Sequence, residues 1–414
     1  MSTFDLSVLF FLQLAFVLAV CRLSGFLFSY FGQPQVVGEM IAGVLMGPSL
    51  MGWLLPSFSA YLFPEQSKPI LFAVAQLGLV LYMFLVGVEF DIKLLRTRAR
   101  SAIAVSLAGI LFPFFLGAAV AVHLADDPTL FSPNTTAVQA ALFFGAALSI
   151  TAFPMLARIV LERGLSKTSL GTLVLAAGSS DDAAAWCVLA LVLASFKGDW
   201  SIAVYAIGGG IAFALFCLIV VRRLLLPLGR RLEAQGEMSP EILGVSLMLA
   251  AIGAWFTDSI EIYAVFGAFI MGVAMPRGKF AEELHRIIFP LTTTLLLPFF
   301  FIYSGLNTKI ALVSTLHLWA LSGLILLVAV LGKGGGCYLA ARISGESHRD
   351  SMAIAALMNA RGLMELIILN IGLQRGIIEP ALFTIMVMMA IVTTLMASPV
   401  FRWVYEKKPY QHLE

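Results

Sequence analysis

The chain has 414 residues, 60% of them hydrophobic and only 12% charged, with a mean hydropathy of +0.96, a composition that no water-soluble domain of this length carries on its surface. The formal net charge of +2 gives no signal for nucleic acid, and Cys21, Cys187, Cys217 and Cys337 lie in apolar runs without CxxC spacing, which argues against zinc and a disulfide scaffold. What remains is an all-α polytopic membrane protein, because in lipid each span must satisfy its own backbone.

Apolar runs of about 20 residues recur along the chain and predict about thirteen helical spans, centred near residues 17, 42, 78, 112, 147, 180, 212, 248, 267, 293, 328, 362 and 392. The first, FDLSVLFFLQLAFVLAV, has no basic n-region and no small-residue cleavage pattern, so it is expected to be retained. Span two contains GEMIAGVLMGP, with Glu39; span three ends in MFLVGVEFDIK, where Glu89 and Asp91 are expected at the membrane boundary with Lys93. Span five contains LSITAFPMLARIV, in which Pro154 removes a helix hydrogen bond and disfavours helix at Phe153, just after Thr151.

Span six sets the central problem. In GSSDDAAAW, Asp181 and Asp182 stand side by side after Ser179 and Ser180, where each acid costs roughly 2.5 to 3.5 kcal/mol to insert. Span eleven holds Lys333 in LGKGGG, and in span twelve, LMNARGLMEL, Asn359, Arg361 and Gly362 interrupt an apolar run ahead of Glu365. Ionisable residues inside spans are functional candidates by default; Arg22, which can snorkel toward headgroups, is the weakest.

Basic residues test the span count independently of hydropathy. Alternate connectors are rich in Lys and Arg: Lys93 to Arg100, Arg158 to Lys167, Arg222 to Arg231, Arg277 to Arg286, Arg342 with Arg349, and Arg402 with Lys407 and Lys408. The opposite set holds only Lys68, Lys197, Lys309 and Arg375. An odd number of spans, with the N-terminus outside and the C-terminus cytoplasmic, fits that alternation.

The chain also echoes itself. GEMIAGVLMGP resembles GAFIMGVAMP (Gly267 to Pro276), and MFLVGVEFDIK around Gly87 resembles FFFIYSGLNTKI around Gly305. The offset is seven spans, an odd number, so the expectation is two inverted six-helix repeats, 5–195 and 239–405, joined by a linker helix at 200–230 within a single transmembrane domain. The same offset pairs interrupted span five with interrupted span twelve, and paired broken helices are the best sequence pointer to an ion site at the midplane.

Carboxylates and the carbonyls of unwound helix offer the hard oxygens that an alkali cation needs. Asp181 and Asp182 are the candidate ligands, with Ser179 and Ser180 as additional ones; adjacent acids repel each other's charge in low dielectric, so the pair suits exchange of protons for a cation. Lys333 is expected to pair with one aspartate while the cation is absent. Arg361 is expected to be a fixed counter-charge that offsets exposed helix ends or pairs with Glu365 or Glu39. A purely structural ion pair is the competing reading for Lys333, and for Arg361 and Glu39 the structural reading is the favoured one. An intramembrane aspartyl protease needs its acids on separate helices, whereas neighbours on one helix point about 100° apart. A passive channel wants a continuous polar pore, and none is evident; a proton-coupled solute carrier stays open as a remote alternative.

These motifs resemble the monovalent cation/proton antiporters, the group that includes bacterial sodium/proton antiporters, potassium efflux antiporters and plant cation/proton exchangers. The likeness rests on GEMIAGVLMGPS, LSITAFPMLARIV, GSSDDAAAW and MNARGLMELIILNIG and covers nearly the whole chain. It implies the sodium/proton antiporter fold, with crossing discontinuous helices in a mobile core, a dimerisation scaffold and so a homodimer. It also implies Asp182 as cation and proton carrier, Asp181 as its neighbour and Lys333 as the core lysine. Two acids with a lysine, where plant relatives carry Asn-Asp and potassium efflux systems Gln-Asp, favour electrogenic sodium/proton exchange by that resemblance; lithium or potassium as cation, and electroneutral exchange, remain alternatives. No cofactor is expected, the partners are the cation, protons and the bilayer, and the expected location is a bacterial inner membrane. The sequence closes soon after the last span, at YEKKPYQHLE, so the nucleotide-binding tail of the efflux systems is not expected.

Overall fold

The computed structural model describes residues 2–33, 35–89, 99–165, 168–197, 200–260 and 264–406. The first helices are α1 (Thr3–Tyr30), α2 (Gln35–Met46), α3 (Lys68–Glu89), α4 (Ala99–Leu124), α5 (Ala137–Ser149), α6 (Phe153–Glu162) and α7 (Ser169–Lys197). After them come α8 (Trp200–Phe216), α9 (Arg222–Gln235), α10 (Pro240–Ser259), α11 (Ala264–Ala274), α12 (Lys279–Leu291) and α13 (Leu297–Leu306). The chain closes with α14 (Leu316–Val330), α15 (Gly336–Ile343), α16 (His348–Met358), α17 (Leu363–Gln374) and α18 (Pro380–Phe401). Among the described residues, extended backbone pairs only in the isolated bridge between Phe131 and Ile378.

Nine stretches among the described residues are long and apolar enough to cross a membrane. Four shorter apolar helices, Ala137–Ser149, Ser169–Gly178, Ala264–Ala274 and Glu365–Gln374, lie at or within three residues of the centres expected near 147, 180, 267 and 362. The protein is a multi-pass membrane protein, and its short apolar helices include those beside the two interruptions.

The chain forms two compact units, each assembled from both halves of the sequence. Unit one comprises Met1–Ser24, Ala42–Phe90 and Leu193–Leu306; unit two comprises Gly25–Ile41, Asp91–Val192 and Asn307–Glu414.

In unit one the backbones meet at glycines. A Cβ on Gly43 would stand 2.2 Å from the Phe301 carbonyl oxygen, and one on Gly305 would stand 2.0 Å from that of Gly43. The same reciprocity recurs between α3 and α11: a Cβ on Gly87 would be 2.1 Å from the Phe269 oxygen, and one on Gly272 would be 2.1 Å from the Phe84 oxygen. Lipid supplies no hydrophobic force between helices, so such close backbone contact is what holds a crossing together.

Unit two is built around the interrupted spans. Leu156, Val160, Val174, Ile354 and Leu357 form its buried apolar centre, with Val105 of α4 and Phe401 of α18. A capping box starts α5, with Thr136 Oγ1 accepting from the Gln139 amide and Gln139 Oε1 accepting from the Thr136 amide. Ser347 caps α16 through the Asp350 amide at 3.0 Å.

One local expectation needs correction. Phe153 is helical, and Pro154 lies in the first turn of α6. There the missing N–H would have had no partner in any case. The break lies upstream, at residues 150–152, with Ile150 in extended backbone.

Candidate cation and proton site

Stopping α5 at Ser149 inside a buried region leaves carbonyls without helical partners and the negative end of a helix dipole. Two fully buried cations meet that end. Arg361 donates from Nη2 to the Leu148 oxygen at 2.8 Å and from Nη1 to the Ala147 oxygen at 3.4 Å. Lys333 donates from Nζ to the Ser149 oxygen. Three successive carbonyls are thereby covered by two side chains from distant parts of the sequence.

Lys333 also joins this helix end to the acid. Its Nζ lies 2.9 Å from Asp181 Oδ2, both side chains fully buried. Thr151 in the α5–α6 break donates to the same oxygen at 2.6 Å, and Ser106 of α4 donates to Oδ1 at 2.6 Å. Asp181 is thus held on both oxygens by three donors from three segments, the provision a buried carboxylate requires. Lys333 sits in a π-helical turn, Leu331–Gly335, an irregularity common at functional sites. Its neighbour Gly334 lets Asn359 approach: a Cβ there would stand 2.6 Å from Asn359 Nδ2.

The two breaks touch. The Ala152 amide donates to the Ala360 oxygen at 3.2 Å, so the α5–α6 break and the α16–α17 break satisfy each other's backbone. Thr394 of α18 braces the second break, accepting from the Arg361 amide at 3.1 Å and donating to the Arg361 oxygen at 2.6 Å. Arg361 Nη1 lies 3.5 Å from Glu365 Oε1 in the first turn of α17. Asn359 closes α16 by donating to the Ala355 oxygen at 3.1 Å. Gly362 packs beside Ala152, Met155 and Met40, where a Cβ would come within 3.0 Å of the Met155 side chain.

The structure therefore brings Thr151, Asp181, Lys333, Asn359, Arg361, Gly362 and Glu365 into one region of unit two. Asp182 follows Asp181 along α7; its side chain, like those of Ser179 and Pro154, lies outside the described residues. The Ser180 hydroxyl donates to the Ala176 carbonyl of its own helix at 3.0 Å. Glu39 is buried and accepts from Gln35 at 2.9 Å, and Arg22 is exposed. Glu89 meets His285 at 2.9 Å at the end of α3, while Asp91 and Lys93 lie outside the described residues. Sequence reasoning passed over Ser106, the Ser149 carbonyl and Thr394. A lone serine or threonine in an apolar span ordinarily bonds back to its own helix, and a carbonyl has no sequence signature beyond the break that exposes it.

An all-helical membrane bundle whose touching helix breaks are lined with paired, buried charges has the make-up of a secondary ion transporter. The chain belongs to the sodium/hydrogen exchanger transmembrane family, whose profile matches residues 15–407. It is 40% identical over 392 residues to the Na(+)/H(+) antiporter NhaS4 of Synechocystis, covering 94% of this chain and 95% of that one. It is 37% identical to cation/H(+) antiporter 17 of Arabidopsis thaliana, matching 95% of this chain but 48% of the plant protein. It is 31% identical to K(+)/H(+) antiporter 1 of Saccharomyces cerevisiae, over 96% of this chain and 46% of the yeast protein. The chain thus spans about half the length of these two eukaryotic relatives. The fold matches that of the sodium proton antiporter MjNhaP1 from Methanocaldococcus jannaschii with a TM-score of 0.63 at 17% identity, covering 94% of each chain.

Proposed function

We propose that the protein is a secondary active antiporter that exchanges a monovalent cation, sodium first, for protons by alternating access, and that it moves net charge. The observation that carries this reading is Asp181, fully buried and held by Lys333, Thr151 and Ser106 against the end of a broken helix. A cation arriving at Asp182 and Asp181 competes with the Lys333 ammonium for Oδ2, and Lys333 yields. With the cation gone, protons or the ammonium compensate the acids again, and only compensated forms cross the low-dielectric centre. Competition for the same oxygens produces exchange with no third component.

Sodium takes first place because NhaS4, a relative of nearly equal length, is named for it. Potassium is the second reading, drawn from the yeast relative's name and from that of the Na(+)/H(+)-K(+) antiporter GerN of Bacillus cereus, 28% identical over 96% of this chain. The repeat reading is supported by the reciprocal glycine crossings: Gly43 meets Gly305, and their echoes Gly272 and Gly87 lie at the matching crossing of α11 with α3. In the proposed arrangement unit two carries the site and moves in a homodimer in a bacterial inner membrane, N-terminus outside and C-terminus cytoplasmic.

The experiment uses proteoliposomes with a trapped pH dye and a membrane potential clamped by potassium and valinomycin. Sodium, lithium and then potassium are added, valinomycin being omitted for potassium. The expected result is cation-triggered proton movement that responds to voltage and is lost in Asp182→Asn. Silence toward every cation, or a fully active Asp182→Asn, overturns the proposal in favour of a solute carrier or channel.

A further inference from the structure

Two of the buried acids of unit two, Asp181 and Glu365, are provisioned very differently. Asp181 has donors on both oxygens at 2.6, 2.6 and 2.9 Å. Glu365 is equally buried, yet Oε1 has one contact, with Arg361 Nη1 at 3.5 Å, and Oε2 has no hydrogen-bond partner among the described residues. Arg361 is engaged elsewhere, on the Leu148 and Ala147 carbonyls, and its Nε has no partner among the described residues either. A carboxylate kept permanently ionised out of water needs several donors; a loosely met one is free to hold a proton on its unpartnered oxygen.

We propose that Glu365 is a second proton-carrying carboxyl of the exchange cycle, linked to the cation site through Arg361. The inference rests on the antiporter reading above and deepens it, since exchange that moves net charge needs more than one proton per cation. The aqueous side faced by the site supplies a proton to Oε2, and the opposite side receives it; no other reactant is needed. The link runs along one helix end. Arg361 holds the Leu148 and Ala147 carbonyls, Lys333 holds the adjoining Ser149 carbonyl, and Lys333 holds Asp181. When Glu365 loses its proton, its charge draws Arg361 away from that helix end, which loosens the carbonyls beside Lys333. Loading at Asp181 and Asp182 and the charge state of Glu365 are thereby joined.

The charged groups around Glu365 are few. Arg361 and Lys333 are the cations that act on it. Among the described residues, the helices packed most extensively on α17 are α5 and α18, which contain no ionisable side chain over Ala137–Ser149 and Pro380–Phe401.

The test is Glu365→Gln, which keeps the shape and an acceptor for Arg361 but cannot ionise. In proteoliposomes, the reversal potential of sodium flux against a fixed pH gradient reads the number of protons per cation. The expected result is a ratio lower by one proton in Glu365→Gln, restored in Glu365→Asp. Should Glu365→Gln not transport, protons released per sodium bound are counted on the purified protein with a pH dye, with the same loss of one expected. A wild-type ratio or a wild-type proton count in Glu365→Gln overturns the inference and leaves the antiporter reading standing. If wild-type protein shows no cation-driven proton movement, it is the antiporter reading that fails.

Discussion

Asp181 and Lys333 form a pair in which neither side chain reaches solvent, and the energetics of such pairs are lopsided. Removing one partner strands the other and costs about 3 to 5 kcal/mol, whereas removing both is often close to neutral. Lys333→Gln and Asp181→Asn should each therefore lower the thermal midpoint of the detergent-solubilised protein clearly, and the double variant should recover most of the loss. Additive losses would show that the two side chains do not act as a pair. Arg361→Lys probes the neighbouring contact: a lysine keeps the charge but cannot span the Leu148 carbonyl and Glu365 together. That variant should melt lower than wild type, and an unchanged melt would remove Arg361 from its place as the brace of α5. The charged members of this cluster were legible from the sequence because an ion in an apolar run stands out against its cost. Ser106 was not, since its role depends on α4 being packed where its hydroxyl reaches Asp181 Oδ1.

The helix interruptions were legible for related reasons, with one instructive error. Pro154 marked the right span, but a proline preorganises a first turn as readily as it breaks a helix, and here it belongs to the start of α6. The break at 150–152 is met across space, the Ala152 amide by the Ala360 carbonyl and the last carbonyls of α5 by Lys333 and Arg361, and no local signal announces such partners. The glycines of unit one are a second element-level feature, visible as a sequence echo but explained only by close backbone contact. Gly305→Ala places a methyl against the Gly43 carbonyl and should destabilise by about 1 to 3 kcal/mol, the range for overpacking. Gly323 of α14, with nothing within 4 Å of its would-be Cβ, is the control: Gly323→Ala should be neutral or stabilising by up to about 1 kcal/mol. Thermal melts of the two variants side by side decide it, and equal losses would deny the crossing any special role.

For the molecule as a whole, all-helical membrane architecture followed from composition and periodicity, and the thirteen expected centres fall on, or within three residues of, long or short apolar helices. The grouping into two units was not legible, because each unit draws on both halves of the chain. If cations and protons compete for one set of buried carboxylates, the most direct measurement is sodium binding by the purified protein across a pH series. Apparent affinity should fall about tenfold per unit of acidification for each proton displaced, because binding and proton release are linked. Asp182→Asn should abolish that dependence along with the binding. Sodium affinity independent of pH, or binding undiminished in Asp182→Asn, would contradict exchange at this site.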